Sequence, residues 1–187
     1  MPLNRNVAVI VGSLRKDSFN RKLAHALAGL APDNLQFDFV EIGGLPLYNP
    51  DLEENSTPPE PWRQFRAQIS AIDAVLFVTP EYNRSIPASL KNALDVGSRP
   101  MGASVWSGKP CAIVSSSPGG IGGFGANQHL RQPLVFLNMP AMQQPEAYIG
   151  GVGKLLDADG RITDASTRQF LGHFMSAFAA WIERNTA

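Results

Sequence analysis

Three short runs in this chain are apolar at nearly every position: "NVAVIV" at Asn6–Val11, "AVLFVT" at Ala74–Thr79 and "CAIV" inside "KPCAIVSSS". They are too short for buried helices, rich in β-branched residues and without polar alternation. That pattern belongs to strands covered on both faces. "LQFDFVEI", Leu35–Ile42, reads as a further strand, and "LVFLNMPAM", Leu134–Met142, as the fifth. Helical patterns separate them. Ser18–Leu30 carries Leu23, Leu27 and Leu30 on one face, Glu60–Ser70 follows the second strand, and Pro87 opens a helix through Asp95 with Gly97 as its C-terminal cap. Asn127–Gln132 begins another helix, and Ala165–Arg184 forms the last, with Phe170, Phe174, Phe178 and Ile182 on one side. Doubly buried strands alternating with helices dictate an open parallel sheet with helices on both faces.

At 187 residues with five strands, the expectation is one α/β domain spanning 1–187. It is a three-layer, flavodoxin-like fold with a five-stranded parallel sheet of order 2-1-3-4-5, rather than a six-stranded dinucleotide fold. Such sheets hold ligands beyond the carboxyl ends of their strands, so the loops after strands one, three and four should converge. Lys+Arg and Asp+Glu both number 16. This balance argues against a nucleic-acid partner, and it is not the acidic surface of a small electron carrier. The single cysteine, Cys111, permits no disulfide within the chain and no multi-cysteine zinc site, which fits a cytoplasmic location. No apolar stretch is long enough for a membrane span.

The loop after strand one, "GSLRKDSFN", places Ser13, Ser18 and Asn20 beside Arg15 at the start of a helix. Backbone N–H groups there, the positive end of the helix dipole and a guanidinium fork suit a phosphate. The loop is neither a Walker loop nor a cysteine-phosphatase loop. A terminal monophosphate fits it, and FMN carries one.

The loop after strand three begins "TPEYNRSIPASLKNALD", Thr79–Asp95. With Gly12–Asn20, "PLYNPDLE" and the glycine-rich turn after strand four, it makes nearly the whole chain resemble the NADPH-dependent FMN reductase family, in particular its chromate- and quinone-reductase members. The resemblance makes Gly12, Ser13, Leu14, Arg15 and Lys16, continuing through Asp17, Ser18, Phe19 and Asn20, the phosphate loop. Pro80, Glu81, Tyr82 and Asn83 become the flavin edge: Pro80 stiffens the turn, the backbone around Glu81 to Asn83 offers N–H groups to the N5 and carbonyl side, and Tyr82 is an aromatic wall. Ser115, Ser117, Gly119 and Gly120 become the pyrimidine side. FMN is then a tightly bound cofactor and NAD(P)H a transient co-substrate. Quinones, azo compounds, flavins or chromate take up the electrons in a ping-pong reaction. No catalytic side chain and no metal are expected, because the flavin carries the redox chemistry. A homodimer or homotetramer is expected, with the apolar loop residues Leu45, Leu47, Tyr48 and Leu52 near a neighbouring subunit, and Arg131 and Glu146 candidates for an ion pair either between subunits or, equally, on the surface of one. The alternative on the same fold is an electron carrier with no turnover of its own.

Gly120, Gly122 and Gly125 spell G-x-G-x-x-G after strand four. This is the wrong strand for a dinucleotide fingerprint, and the glycines read instead as letting backbone approach a flat ring. His25, His129 and His173 show no metal spacing. Cys111, Met139 and Met142 read as core. Ser115–Ser117 lacks the elbow of a serine hydrolase.

Overall fold

A computed structural model describes residues 3–54 and 57–186. Five parallel strands, β1 (Arg5–Val11), β2 (Leu35–Val40), β3 (Ala74–Thr79), β4 (Cys111–Ser116) and β5 (Ala147–Ile149), form one sheet in the order β2-β1-β3-β4-β5. The helices are α1 (Phe19–Ala28), α2 (Asp51–Glu54), α3 (Glu60–Ser70), α4 (Ala88–Gly97), α5 (Phe124–Phe136), α6 (Val152–Leu155) and α7 (Ala165–Asn185). This is the flavodoxin-like architecture expected.

The non-alternating strands work because both faces are covered. Ala8, Ile10, Val75 and Phe77 point into one core, against Trp62, Phe65 and Ile69 of α3, Leu90 and Leu94 of α4, and Leu130 and Leu134 of α5. Their neighbours Val7, Val9, Leu76 and Val78 point to the other face, against Leu23 and Leu27 of α1 and Phe174, Phe178 and Ile182 of α7. Each fully buried side chain of this size contributes about 1.5–3 kcal/mol. Cys111, Met139 and Met142 are buried as expected.

The fifth strand is not where its apolar run predicts. α5 continues through Pro133 to Phe136, and β5 is the three-residue "AYI" further on. Only the tail of "LVFLNMPAM" meets the sheet: Ala141 forms a single parallel bridge to Cys111. Leu134 and Met139 are buried, but Val135 and Phe136 are 79% and 83% exposed. The run is therefore half core and half exposed helix end, and its hydrophobicity does not mark a strand.

Gly97 is not the cap of α4. It is the last helical residue, and Ser98 takes the cap position in ordinary right-handed conformation. A side chain at Gly97 would begin 2.5 Å from Trp106 Nε1, so the glycine is there to admit the indole. Tertiary packing, not helix termination, selects it.

Within the long loop that follows β2, Asn92 of α4 accepts from the Tyr48 N–H and donates to the Leu45 and Pro46 carbonyls. The Trp62 indole also donates to Pro46. Asn55 and Ser56, in the same loop, lie outside the described residues. Leu45 and Tyr48 pack on the core, whereas Leu47 and Leu52 are exposed.

Candidate active site

The loops after β1, β3 and β4 meet at the carboxyl end of the sheet around an open cleft of about 520 Å³, continuous with solvent. From the first loop come Ser13, Arg15, Ser18, Phe19 and Asn20; from the second, Pro80, Glu81 and Tyr82; from the third, Ser117. Ser116 and Pro118, within the expected stretch Ser115–Gly120, also line it, and so does Val152, which was not anticipated. Val152, first residue of a four-residue helix, carries no recognisable signal in the sequence. The remaining expected residues frame the cleft without lining it.

Gly12 lets the first loop lie against β3, since a Cβ there would sit 2.8 Å from Thr79 Oγ1. Ser89 of α4 also donates to the Gly12 carbonyl. Ser18 caps α1 by accepting from the Arg21 N–H, and its own hydroxyl hydrogen remains free to donate into the cleft. First-turn N–H groups have no carbonyl partner within their helix, and those of Phe19 and Asn20 stand at this mouth. Asn20 is buried, and its carbonyl oxygen accepts from Ser116 at 3.1 Å. That contact leaves the amide hydrogens as the end available for a ligand. Arg15 is exposed and has no ion-pair or hydrogen-bond partner among the described residues. Leu14 rests against Gly43, and Lys16 and Asp17 are exposed at the rim. A helix N-terminus, free hydroxyl donors and one unpartnered guanidinium are a donor set for a doubly charged phosphate.

In the second loop Tyr82 and Ser85 exchange both backbone hydrogen bonds at 2.9 Å. Between them Asn83 (φ 50°) and Arg84 (φ 65°) are left-handed, as a two-residue type I′ turn requires. Glu81 pairs with Arg84 at 3.0 Å. Tyr82 is half exposed beside the cleft.

Ser115, near the end of β4, is fully buried, bonded to Asn127 and the Ala147 carbonyl. Ser117 donates to the Gly119 carbonyl, and Gly120 is open to solvent. Gly122 and Gly125 do not serve close approach to a ring. A Cβ on Gly122 would meet the Tyr148 carbonyl carbon at 2.5 Å, and one on Gly125 would meet the Glu81 carboxylate at 2.8 Å. Both are dictated by protein packing. His129 lies with Nδ1 2.6 Å from Ser85 Oγ, a partner no spacing rule reveals.

Residues 5–154 match the model of the NADPH-dependent FMN reductase family. The chain belongs to the NADPH-dependent FMN reductase family. Among its members this chain is 62% identical to a quinone reductase of Pseudomonas putida over 182 residues, 97% of each chain. It is 53% identical to a 2-hydroxy-1,4-benzoquinone reductase of a Burkholderia species, over 94% of this chain and 95% of that one. A solved flavoenzyme NAD(P)H:(acceptor) oxidoreductase from Paracoccus denitrificans superposes with a TM-score of 0.92 at 45% identity, covering 98% of this chain and 100% of that one. The FMN reductase family uses FMN as cofactor and NAD(P)H as electron donor, and the chain is an enzyme of that kind. The donor set of the first loop fits the cofactor's monophosphate. Among the described residues no group of three or more His, Cys, Asp or Glu gathers as a metal site, and no helix is long and apolar enough to cross a membrane.

Proposed function

We propose that this FMN reductase oxidises NAD(P)H and delivers the electrons to quinones, with azo compounds, free flavins and chromate as further acceptors. When bound, FMN accepts hydride from the nicotinamide and passes electrons on. Arg15, the hydroxyls of Ser13 and Ser18, the amide of Asn20 and the first-turn N–H groups of α1 hold the phosphate. The backbone of Pro80–Asn83 borders the ring edge, with Tyr82 as a wall, and Ser117, Gly119 and Gly120 border the other end. The remaining loop residues, Gly12, Leu14, Lys16 and Asp17, shape the phosphate loop, and Ser115 supports it from below. No side chain transfers a proton in the hydride step. The observation that carries this reading is the unpartnered Arg15 in a cleft built by all three strand-end loops.

The cleft is open on one side, so donor and acceptor use the same face in turn. Oxidised nicotinamide leaves before the acceptor enters. Double-reciprocal plots with NADPH and a benzoquinone should therefore be parallel. Intersecting lines, from a ternary complex, would refute the alternation. An FMN-loaded protein that NADPH fails to bleach anaerobically would refute the activity.

Residues 1–187 act as one FMN-binding domain, supported by α7 packing on the same sheet as the cleft. The protein assembles as a homodimer or homotetramer in the cytoplasm. Val135 and Phe136, two adjacent exposed apolar residues on α5, and the exposed Leu47 support a subunit interface. Arg131 donates within its own chain to Asn127 and the Met142 carbonyl, and Glu146 accepts from Gln128; an ion pair between them across subunits gains no support from this. A monomeric mass by light scattering at micromolar concentration would remove the assembly.

A further inference from the structure

We propose that Glu81 is a positioning residue that clamps the flavin-edge loop to the N-terminus of α5, and is not a proton donor or acceptor. The inference rests on the FMN-dependent reading above.

Glu81, two residues beyond the end of β3, lines the cleft, yet its side chain is only 13% exposed. Both carboxylate oxygens are committed. Oε2 accepts from the Ala126 N–H at 3.2 Å, and Oε1 from Arg84 Nη1 at 3.0 Å. Ala126 is in the first turn of α5, where N–H groups lack helical partners. Gly123, at the N-cap of α5, has no side chain to offer them. Glu81 therefore supplies from the neighbouring loop the cap that the helix lacks, at the end where the dipole favours a carboxylate.

Gly125 fits this arrangement. A Cβ there would lie 2.8 Å from Glu81 Oε2 and 3.1 Å from the Arg84 carbonyl, so a larger residue would push the carboxylate off the helix. The far end of the loop is tied to the same helix, Ser85 Oγ lying 2.6 Å from His129 Nδ1. Ala126 and His129 are one turn apart on one face of α5. Between these anchors lies the turn whose two central residues are left-handed. Arginine disfavours that conformation, and the ion pair of Arg84 with Glu81 holds it there. The clamp thus fixes the loop backbone that borders the flavin ring.

The clamp predicts a pattern of ligand affinities. The loop meets the ring system and not the phosphate, so Glu81→Ala should weaken FMN and riboflavin by the same factor, about tenfold or more, the scale of one lost charge-assisted hydrogen bond. Glu81→Gln keeps an oxygen for the Ala126 N–H and should recover most of that loss. Gly125→Ala should weaken both flavins as Glu81→Ala does, and the double variant should be no worse than either alone. In apoprotein, exchange of the Ala126 amide should quicken in Glu81→Ala while that of Leu130 stays unchanged. The experiment is titration of apoprotein with FMN and with riboflavin, joined to amide exchange without flavin. The proposal is overturned by Glu81→Ala binding both flavins as wild type does, or by Gln failing to rescue. It is equally overturned by Glu81→Gln binding FMN normally while losing about a thousandfold in flavin reduction, the scale of a lost proton-transfer group. Wild-type protein that takes up no flavin overturns the functional reading itself, and this proposal with it.

Discussion

Replacing Arg15 by alanine isolates the phosphate from the rest of the cofactor. The guanidinium has no partner among the described residues and stands at an exposed position of the first loop, so its removal unpairs no buried group and opens no cavity. The effect is then that of one charge on a ligand dianion. At about 4 Å a unit charge pair gains about 1 kcal/mol in water and about 4 kcal/mol at the effective dielectric of a protein surface. An exposed side chain at the rim of an open cleft sits toward the lower figure, about 1–2 kcal/mol. FMN affinity should therefore fall about five- to thirtyfold at low salt. The Debye length shrinks to about 3 Å at 1 M salt, where the loss should drop below about threefold. Riboflavin lacks the phosphate and should bind the variant as it binds wild type. Quenching of flavin fluorescence on titration with apoprotein measures each protein with each flavin at both salt concentrations. Equal losses for FMN and riboflavin, or a loss independent of salt, would refute the assignment of Arg15 to the phosphate.

Gly97→Ala should destabilise the protein by about 1–3 kcal/mol through overpacking against Trp106, lowering the thermal midpoint by about 3–10 °C; circular dichroism measures this, and an unchanged midpoint would mean that the indole is free to move. Cys111 should resist thiol reagents in native protein near pH 8, because burial pushes its thiol up to about 12, and should react only on unfolding; stoichiometric labelling of native protein contradicts this. Asp164 caps α7, and hydrogen bonds from Ser166 and Thr167 lower its carboxyl to about 2 from an ordinary 3.8. Its stabilisation is therefore complete above the ordinary value and is lost as pH falls from about 4 toward 2. Asp164→Asn should flatten that part of the acid-unfolding curve, and a variant with the wild-type slope would exclude the cap as its source.

The sheet order was legible because three strands are apolar on both faces, which only a parallel sheet between helices satisfies. The cleft was legible where function imposes composition: serines, an asparagine and an arginine at a helix start, and a proline–glutamate–tyrosine–asparagine turn at a strand end. What the sequence hid depends on distant partners. Val135 and Phe136 look like strand core because hydrophobicity does not say whether a surface is covered by the chain itself. β5 is invisible because three residues are too few for a pattern. Gly122 and Gly125 imitate a ligand-binding fingerprint, and only the proximity of Tyr148 and Glu81 reveals that protein atoms fill the space. Val152 enters the cleft through topology alone.

A strand at the margin of a sheet offers unpaired backbone groups on which a second, incompletely folded chain can grow. On the β5 side this template is broken into pieces. The chain touches β4 once at Ala141, leaves, and returns for three residues at Ala147–Ile149. An incoming strand finds no continuous ladder to extend there. β2, at the opposite margin, runs six residues without interruption. Crowded folding intermediates of this protein should therefore mispair through β2, and a charge or proline placed on that strand's free edge would do more for soluble yield than any change along β5.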